Sequence, residues 1–411
     1  MNFLSYVNTD AETNIEVEIE KLVYGGQGLA RLDGRVVLVP FVLPGETALV
    51  KVESERRNLL TARLEDILKP APSRTEPPCP FFLRCGGCQY QHATYAEQLT
   101  QKQAILREAL RRGGKVEAPE EIRVIAGEPL GYRNRTQFHL AGGEIGYFGP
   151  GSHRLVPVDR CPISSPRINE SLAALRDMQA ERRFPGFVSS LEVFTNEAAV
   201  QVNVLETAQP VSKRFFDWCA ERIPGYTEDA VEYAAGGVMY RVRHRSFFQV
   251  NRFLVEPMVE AALEGAEGET ALDLYSGVGL FSIPLARRFA GVTAVESSRS
   301  AAGDLEFNAA RAGAQVAVQQ QPVEGVLETL EARPDFVLAD PPRAGLGKYV
   351  VRHLLRLKPP RLTIVACDPA TLARDLGALL GEAYALDSLT LVDLFPQTAH
   401  IETIAKLSLR S

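Results

Sequence analysis

Short runs of alternating apolar and polar residues fill the chain between residues 13 and 67. Turn residues separate these runs, and among them Asp33-Gly34 is a strong signal for a two-residue hairpin. Four or five short strands at this spacing predict a small β-barrel. Many barrels of this size bind oligonucleotides and many do not, so the pattern alone leaves RNA binding open. The alternating runs are Ile15–Glu20, Arg35–Val39, Ala48–Val52 and Thr61–Ile67.

From Ala271 onward, apolar runs of strand length are separated by segments of helix length. This alternation predicts an α/β, Rossmann-like sheet of five parallel strands. Two more runs follow, and the short connection Pro396–Ala399 between them requires the last strand to run antiparallel. Such a reversed terminal strand distinguishes a S-adenosylmethionine methyltransferase sheet from a dinucleotide dehydrogenase sheet. The predicted strands are Ala271–Tyr275, Val292–Val295, Gln315–Val318, Asp335–Ala339, Leu362–Ala366, Leu386–Phe395 and His400–Leu407.

The middle of the chain has a weaker pattern, which predicts an α+β domain. A proline-rich linker at 69–78 separates it from the barrel. An amphipathic helix is expected over 95–112, ending at a pair of glycines, and two pairs of strands follow it. The predicted domains are therefore a barrel at 1–70, a middle domain at 71–240 and a methyltransferase domain at 241–411.

Composition excludes some classes of protein. The apolar content of 45% and charged content of 23% are ordinary for a globular protein, and no apolar run approaches the roughly 20 residues that span a bilayer. Met1–Tyr6 has neither the basic flank nor the apolar core of a secretory signal. We therefore expect a cytoplasmic protein with no membrane partner, and no feature of the sequence indicates an obligate protein partner.

The net charge of -6 provides no global positive field, so any RNA contacts must be local. The segment from Tyr240 to Arg252 combines basic and aromatic residues without an acid. A solvated strand face explains this composition about as well as a phosphate-binding surface does. The candidate RNA contacts are Arg133, Arg135, Arg241, Arg243 and Arg245.

The cysteines are clustered, which in a reducing compartment favours metal binding or catalysis over disulfides. Three of them, Cys79, Cys85 and Cys88, lie within ten residues on a glycine turn, and Cys161 follows far along the chain. Zinc sites usually pair two close doublets, and no second doublet is present. Three close cysteines and a distant one suit an iron–sulfur cluster better, although spacing leaves zinc open.

Candidate ligand-binding residues stand where the predicted parallel strands end, which is where such sheets bind ligands. A two-glycine turn, Asp273–Gly279, follows the first strand, and Glu296 ends the second at the place expected to bind ribose hydroxyls. Asp340-Pro-Pro-Arg343 ends the fourth strand. Amino-group methyltransferases usually carry an aromatic residue at the place of Arg343, so this motif speaks against N-methylation.

Carbon methylation needs an activated carbon, and Cys367 at the end of the fifth strand is the candidate activator. Uracil C5 is a poor nucleophile until a thiolate adds at C6 and makes C5 an enolate. A base must then remove the C5 proton so that the cysteine can leave. Glu402 begins the reversed last strand, which starts at the same edge of the sheet, so the topology brings both residues together.

Five motifs in this order resemble the RNA uracil-5-methyltransferases of the RumA/TrmA type, and the resemblance covers nearly the whole chain. The barrel, through Tyr24–Arg31 and Val39–Glu46, resembles a TRAM domain, an RNA-binding barrel found on RNA-modifying enzymes. With the cysteines, it matches the subgroup that carries a 4Fe-4S cluster. The five motifs are Phe247–Asn251, Asp273–Gly279, Asp340–Gly345, Ala366–Asp375 and His400–Thr403.

The resemblance implies the roles of individual residues. Cys367 is the nucleophile and Glu402 the base. Ser276 and Leu280 depart from residues that are common in the family, so cofactor affinity could differ. Cys219 matches no family position. The resemblance implies that Gln249, Tyr275, Glu296 and Asp340 bind S-adenosylmethionine and that Cys79, Cys85, Cys88 and Cys161 hold the cluster.

The sequence therefore predicts an enzyme that forms 5-methyluridine in RNA, with ribosomal RNA favoured over transfer RNA. A cytosine-5 methyltransferase is one alternative, although the glutamate base and the absence of a Pro-Cys motif after the fourth strand count against it. A non-catalytic RNA-binding or iron–sulfur protein of the same fold is another, and the presence of Cys367 and Glu402 argues against it.

Overall fold

The computed structural model of the protein describes residues 14–181 and 183–411. The amino-terminal segment Met1–Tyr6, on which part of the expectation of a cytoplasmic protein rests, lies outside these residues. Within the described residues, no helix is both long enough and apolar enough to cross a membrane.

The first strands close into a barrel, as the alternating pattern predicts. In the barrel the strands follow one another in the order β1-β2-β3-β5-β4. Asp33 and Gly34 join β2 to β3, and their φ angles of 50° and 79° are those of a type I′ hairpin turn. The strands are β1 (Asn14–Val23), β2 (Gln27–Leu32), β3 (Arg35–Pro40), β4 (Thr47–Arg56) and β5 (Leu59–Lys69).

The middle of the chain forms a second sheet with the order β11-β10-β7-β8-β9, against which two helices pack. A separate hairpin, β12–β13, turns at Gly236-Gly237 and was not predicted. The elements are α1 (Tyr95–Ala109), which continues into a π-helical turn (Leu110–Gly114), β6 (Arg123–Ile125), β7 (Arg135–Ala141), β8 (Glu144–Phe148), β9 (Leu155–Pro157), α2 (Pro166–Gln179), β10 (Val188–Thr195), β11 (Val200–Thr207), α3 (Lys213–Arg222), β12 (Val231–Ala235) and β13 (Val238–Val242).

The last part of the chain forms a large sheet with the order β16-β15-β14-β17-β18-β20-β19-β6. Apolar cores cover both of its faces, which explains the continuous apolar runs in its strands. The elements are α4 (Val255–Leu263), β14 (Thr270–Leu274), α5 (Ser282–Leu285), β15 (Gly291–Val295), α6 (Arg299–Arg311), β16 (Val316–Gln319), α7 (Val323–Thr329), β17 (Phe336–Ala339), α8 (Gly347–Leu357), β18 (Arg361–Ala366), α9 (Pro369–Glu382), β19 (Tyr384–Val392) and β20 (Glu402–Leu409).

The five predicted parallel strands correspond to β14–β18, and the predicted reversed strand corresponds to β20. β20 is antiparallel to both β18 and β19, as the short connection between the last two runs requires. One strand of this sheet comes from the middle of the chain, because β6 pairs in parallel with β19. β6 has only three residues, too few to show a period in the sequence.

Candidate active site

Cys367 and Glu402 lie side by side at the carboxyl edge of the parallel strands. β18 ends at Ala366, whose antiparallel partner is Thr403 near the start of β20. The next residue of one strand and the preceding residue of the other, Cys367 and Glu402, therefore face the same space. Glu402 is 5% exposed, and Cys367 is partly exposed.

A capped helix fixes the position of Cys367. Asp368 is the N-cap of α9, and its carboxylate accepts hydrogen bonds from the backbone N–H groups of Ala370 and Thr371 at 3.0 and 2.8 Å. Pro369 occupies the first helical position, where its missing N–H has no cost. The strand end and the helix start therefore hold the backbone of Cys367 from both sides.

The site is acidic and desolvated. Burial, followed by the negative charges of Glu402 and Asp340, raises the pKa of the Cys367 thiol to about 11. Burial raises the pKa of Asp340 to about 7. Burial and the nearby Asp340 carboxylate raise the pKa of Glu402 well above its usual value. Because each of these groups is harder to ionise than in water, a positively charged ligand would be stabilised here.

Arg343 stands at the rim of this acidic site. Its Nη2 donates a hydrogen bond to Nδ1 of His400 at 3.2 Å, two residues before Glu402. Burial and the positive charge of Arg343 lower the pKa of His400 to about 4, so the imidazole is neutral at physiological pH. The exposed guanidinium of Arg343 is thus available beside the thiol and the carboxylates.

The glycine turn after β14 forms the neighbouring part of the sheet edge. Gly277 and Tyr275 have positive φ angles of 55° and 63°. Glu296, just after β15, accepts hydrogen bonds from the backbone N–H groups of Gly277 at 2.9 Å and Ser298 at 2.6 Å. Each carboxylate oxygen has a further lone pair, so Glu296 can still accept bonds from a ribose.

Two buried polar groups at the glycine turn lack partners in the described residues. Asp273 is fully buried, and one of its carboxylate oxygens accepts a hydrogen bond from Ser282 while the other has no partner. The hydroxyl of Ser276 also has none. Buried polar groups are normally satisfied, so these atoms fit a polar cofactor at this turn. Sequence reasoning did not assign Asp273 a role, although it opens the glycine motif.

The structure places Tyr275, Glu296 and Asp340 after three neighbouring strands, β14, β15 and β17. Gln249 belongs instead to the loop that follows β13 and is 7% exposed. This loop is tied to the end of β19 because the side chain of Asn251 donates to the carbonyl of Leu394 at 3.1 Å. The four predicted cofactor residues therefore come from separate elements.

The loop that leads to Glu402 is held by buried polar contacts that the sequence did not reveal. Lys102 of α1 forms a buried ion pair with Asp393 at 2.5 Å, and both side chains are at most 1% exposed. Tyr132 donates from its hydroxyl to the carbonyl of Pro396 at 3.0 Å. The backbone N–H groups of Gln89 and Tyr90 both donate to the carbonyl of Gln397 at 3.0 Å. This loop is thus anchored to α1 and to Gln89 and Tyr90, the two residues that follow Cys88.

The barrel also touches this region through its β1–β2 turn. A Cβ added at Gly26 would lie 2.7 Å from Cβ of Gln89 and 3.2 Å from Cβ of Ala399. Burial and the neighbouring Asp368 carboxylate raise the pKa of Tyr24. The turn that carries the TRAM-like motif therefore packs close to Cys367.

The four predicted cluster ligands line one cavity of about 240 Å³. Burial, and to a smaller extent the negative charges of the neighbouring cysteines, raise the pKa of Cys88 to about 12 and that of Cys85 to about 11. Among the described residues, no group of three His, Cys, Asp or Glu side chains is arranged to hold a single metal ion. Because the four thiols of a 4Fe-4S cluster bind the cluster rather than one ion, their sharing of one cavity still fits it.

Two of the candidate RNA-binding arginines are paired with the same buried carboxylate. Arg241 and Arg243 both contact the buried carboxylate of Asp304 on α6, at 3.1 and 2.6 Å. These contacts join the β12–β13 hairpin to the large sheet. Arg245 is exposed and has a positive φ of 66°.

This sheet, with its reversed last strand and the candidate ligand-binding residues at its edge, is that of a S-adenosylmethionine-dependent methyltransferase. The family model for tRNA (uracil-5-)-methyltransferases matches residues 223–320 and 326–409, and the TRAM domain model matches residues 13–64. An uncharacterised RNA methyltransferase of Aquifex aeolicus is 32% identical over 96% of this chain and 99% of its own length. The 23S rRNA (uracil(1939)-C(5))-methyltransferase RlmD of Pectobacterium atrosepticum is 33% identical over 95% of this chain and 93% of its own length.

A solved structure shares the whole architecture. The Pyrococcus abyssi tRNA (uracil-54, C5)-methyltransferase, in complex with S-adenosyl-L-homocysteine, superposes with a TM-score of 0.76 at 25% identity, covering 95% of this chain and 99% of the other. The chain belongs to the RNA uracil-5-methyltransferase family and carries a TRAM domain. It is a S-adenosylmethionine-dependent RNA (uracil-5-)methyltransferase.

Proposed function

We propose that this enzyme methylates C5 of a uridine in 23S ribosomal RNA through a covalent bond between Cys367 and C6 of the base. The observation that carries the mechanism is the register of β18 and β20, which sets Cys367 beside Glu402 at the sheet edge. A thiol and a buried carboxyl group side by side are what addition at C6 and proton removal at C5 require.

The proposed reaction has three steps. The Cys367 thiolate adds to C6, and the electron pair of the C5–C6 double bond moves toward C5 and O4. C5 then forms its bond to the methyl group as the bond between that carbon and the sulfonium sulfur breaks and leaves its electron pair on the sulfur, which gives a neutral adduct with a hydrogen and a methyl at C5. Glu402 removes that hydrogen as a proton, the C5–C6 double bond re-forms, and the sulfur–C6 bond breaks to restore the thiolate.

The cofactor S-adenosylmethionine supplies the methyl group and carries a positive sulfonium charge. We propose that Tyr275, Glu296 and Asp340 bind it along the edge of β14, β15 and β17, with Gln249 completing the site. The acidic surroundings of Cys367 favour a cation. A positive charge next to the thiol lowers its pKa, so the nucleophile forms when both substrates are bound.

The choice of ribosomal RNA rests on similarity. The relative from Pectobacterium atrosepticum is named as a 23S rRNA enzyme and is 33% identical over nearly its whole length. The solved structure named for transfer RNA is 25% identical. We also propose the functional division into a barrel at 1–70, a middle domain at 71–240 and a methyltransferase domain at 241–411.

We further propose that Cys79, Cys85, Cys88 and Cys161 hold a 4Fe-4S cluster. Their common cavity and the high thiol pKa values that burial produces fit ligands that are ionised only when bound to a cation. Protein purified without oxygen should contain four iron and four sulfide ions per chain, and a zinc-replete, colourless preparation would refute this part of the proposal.

Methyl transfer from labelled cofactor tests the proposed function. Unmodified 23S rRNA and tRNA transcripts are incubated separately with anaerobically purified enzyme, then digested to nucleosides. We expect labelled 5-methyluridine from 23S rRNA alone. Cys367→Ala should abolish it, whereas Cys219→Ala, which removes a buried thiol far along the chain, should not. Label in 5-methylcytidine, or activity retained by Cys367→Ala, would overturn the mechanism.

A further inference from the structure

A groove of about 720 Å³ lies between β11, α3 and the segment after β13. We call it the β11 groove, and it is distinct from the edge of the large sheet where Cys367 lies. Its walls contain cationic and aromatic side chains, and none of the residues proposed above for catalysis or cofactor binding lines it within the described chain. The lining residues used below are Arg135, Lys213, Phe216, Arg245 and Phe247.

Arg135 is the most unusual residue in this wall, because it is a buried guanidinium with incomplete pairing. It is 8% exposed. Its Nη1 donates to the carbonyl of Ser246 at 2.9 Å and lies 3.8 Å from the Glu192 carboxylate, while its Nε and Nη2 have no partner. The guanidinium also lies over the Phe194 ring, with Cζ 4.1 Å from the ring centroid. Buried donors without a hydrogen bond are costly, so a ligand that accepts from Nε and Nη2 would be stabilised here.

The geometry of the two free donors indicates the kind of ligand. Nε and Nη2 lie on one edge of the planar guanidinium, and this edge matches two oxygens of a phosphate or the edge of a base. Lys213 and Arg245 add two exposed cations to the groove, while Glu192 and Glu228 are its carboxylates. Cations therefore outnumber carboxylates in the wall.

Aromatic rings complete the groove. Phe247 is 58% exposed, although it is a large apolar side chain, and Phe216 lines the same space. An exposed ring beside cations is the combination with which proteins stack the bases of single-stranded RNA while neutralising its backbone. A double-stranded helix would not present its base faces to such a ring.

The wall of the groove is close in sequence to a residue of the proposed cofactor site. Phe247 and Gln249 are two residues apart, and two extended residues span at most about 7 Å. Gln249, which we propose to bind the cofactor, is buried, whereas Phe247 is exposed and lines the groove. An RNA strand whose target uridine lies at Cys367 therefore passes near the β11 groove.

We propose that the β11 groove binds a single-stranded nucleotide near the target uridine, with Arg135 on its phosphate or base edge and Phe247 against its base. This inference rests on the proposed function and adds a second contact for the RNA. The groove would thereby select RNAs by the nucleotides that flank the target.

Three exposed positions test the groove without disturbing the core. Phe247→Ala removes the stacking ring, Lys213→Glu reverses a wall charge, and Arg245→Asn removes a charge while keeping a residue that tolerates positive φ. The matched control is Arg214→Glu, because Arg214 is the next exposed residue of α3 and, in the described chain, does not line the groove.

The measurements are the Kd for 23S rRNA at several salt concentrations and the kcat and KM of methyl transfer. We expect Phe247→Ala to raise Kd and KM roughly tenfold with kcat little changed. Lys213→Glu should reduce the salt slope by about 0.7. Arg214→Glu should behave as wild type. Unchanged Kd, KM and salt slope in all three groove variants would overturn the inference.

Arg135→Met gives a second test, with melting temperature as the extra readout. Removing a buried, partly unpaired charge need not destabilise a protein, so we expect RNA binding to weaken more than the fold. A large fall in melting temperature together with wild-type RNA affinity would show that Arg135 serves only the fold. Failure of wild-type enzyme to methylate uridine would refute the proposed function, whereas its Kd for RNA would still report on the groove.

Discussion

Replacing Glu402 by glutamine separates the two halves of the proposed reaction. The change keeps the size of the side chain, which is 5% exposed at the start of β20, and removes its ability to accept a proton. It also removes one of the negative charges that raise the pKa of Cys367. Formation of the thiolate, and hence addition at C6, should not be slowed.

Proton removal at C5 should become very slow. A positioned general base contributes roughly 10²- to 10⁴-fold, which is about 2.7 to 5.4 kcal/mol of barrier at 1.36 kcal/mol per tenfold. A water molecule cannot readily replace Glu402, because the carboxyl group lies in a desolvated site. The methylated adduct should therefore accumulate, with Cys367 still bound to C6.

The assay follows labelled RNA on a denaturing gel together with the mass of the trapped protein. We expect Glu402→Gln to give a band of protein and RNA joined covalently, carrying one methyl group and forming in a single turnover. The double variant Cys367→Ala, Glu402→Gln should give none. Free 5-methyluridine released by Glu402→Gln at the wild-type rate would refute the assignment of Glu402 as base.

Three further predictions concern contacts between separate segments of the chain. Burial opposes ionisation of Glu46, but hydrogen bonds from Arg74 and two backbone N–H groups outweigh it and lower the pKa of this carboxyl group. The stability that the ionised group contributes is therefore present above the ordinary glutamate pKa and is lost as the pH falls through the lowered value. Thermal melts of wild type and Glu46→Gln should converge at acid pH. Lys102→Met should lower the free energy of unfolding by about 3 to 5 kcal/mol, because the buried Asp393 carboxylate would lose its only ion-pair partner among the described residues and keep the hydrogen bond from Tyr95. Asp393→Leu added to it should restore part of that free energy, and both variants are measured by denaturant unfolding. Gly26→Ala should raise the KM for RNA more than the KM for the cofactor, because the added methyl group would collide with Gln89 and Ala399 and because the φ of 89° at Gly26 is strained for alanine. Equal KM values for wild type and variant would contradict this docking of the barrel.

The large sheet could be predicted from the sequence because its signals are local. Each strand of β14–β18 is a short apolar run bounded by helix-length segments, and the four residues of Pro396–Ala399 are too few for a parallel crossover. The proposed nucleophile and base, Cys367 and Glu402, could be selected for the same reason, since both stand at strand ends on one edge. The barrel followed from alternation and from the Asp33-Gly34 turn.

The contacts between distant segments could not be predicted. Lys102 and Asp393 are separated by 291 positions, and neither shows in its own surroundings that the other neutralises it. β6 likewise joins the large sheet through a distant partner, because Arg123 pairs with Thr390, and its three residues carry too little pattern to show this. The pairing of Arg241 and Arg243 with Asp304 likewise changes a basic stretch that suggested RNA into a contact between elements.

The sequence by itself was enough to predict the chemistry that we propose, because the candidate reactive groups and the strands that they follow are local features of the chain. Only the tertiary structure decided which charges are satisfied and which are free. The free donors of Arg135 and the exposed ring of Phe247 became visible when β7, β11 and the segment after β13 were brought together. Burial and partnership depend on residues far apart in the chain, and no local pattern contains them.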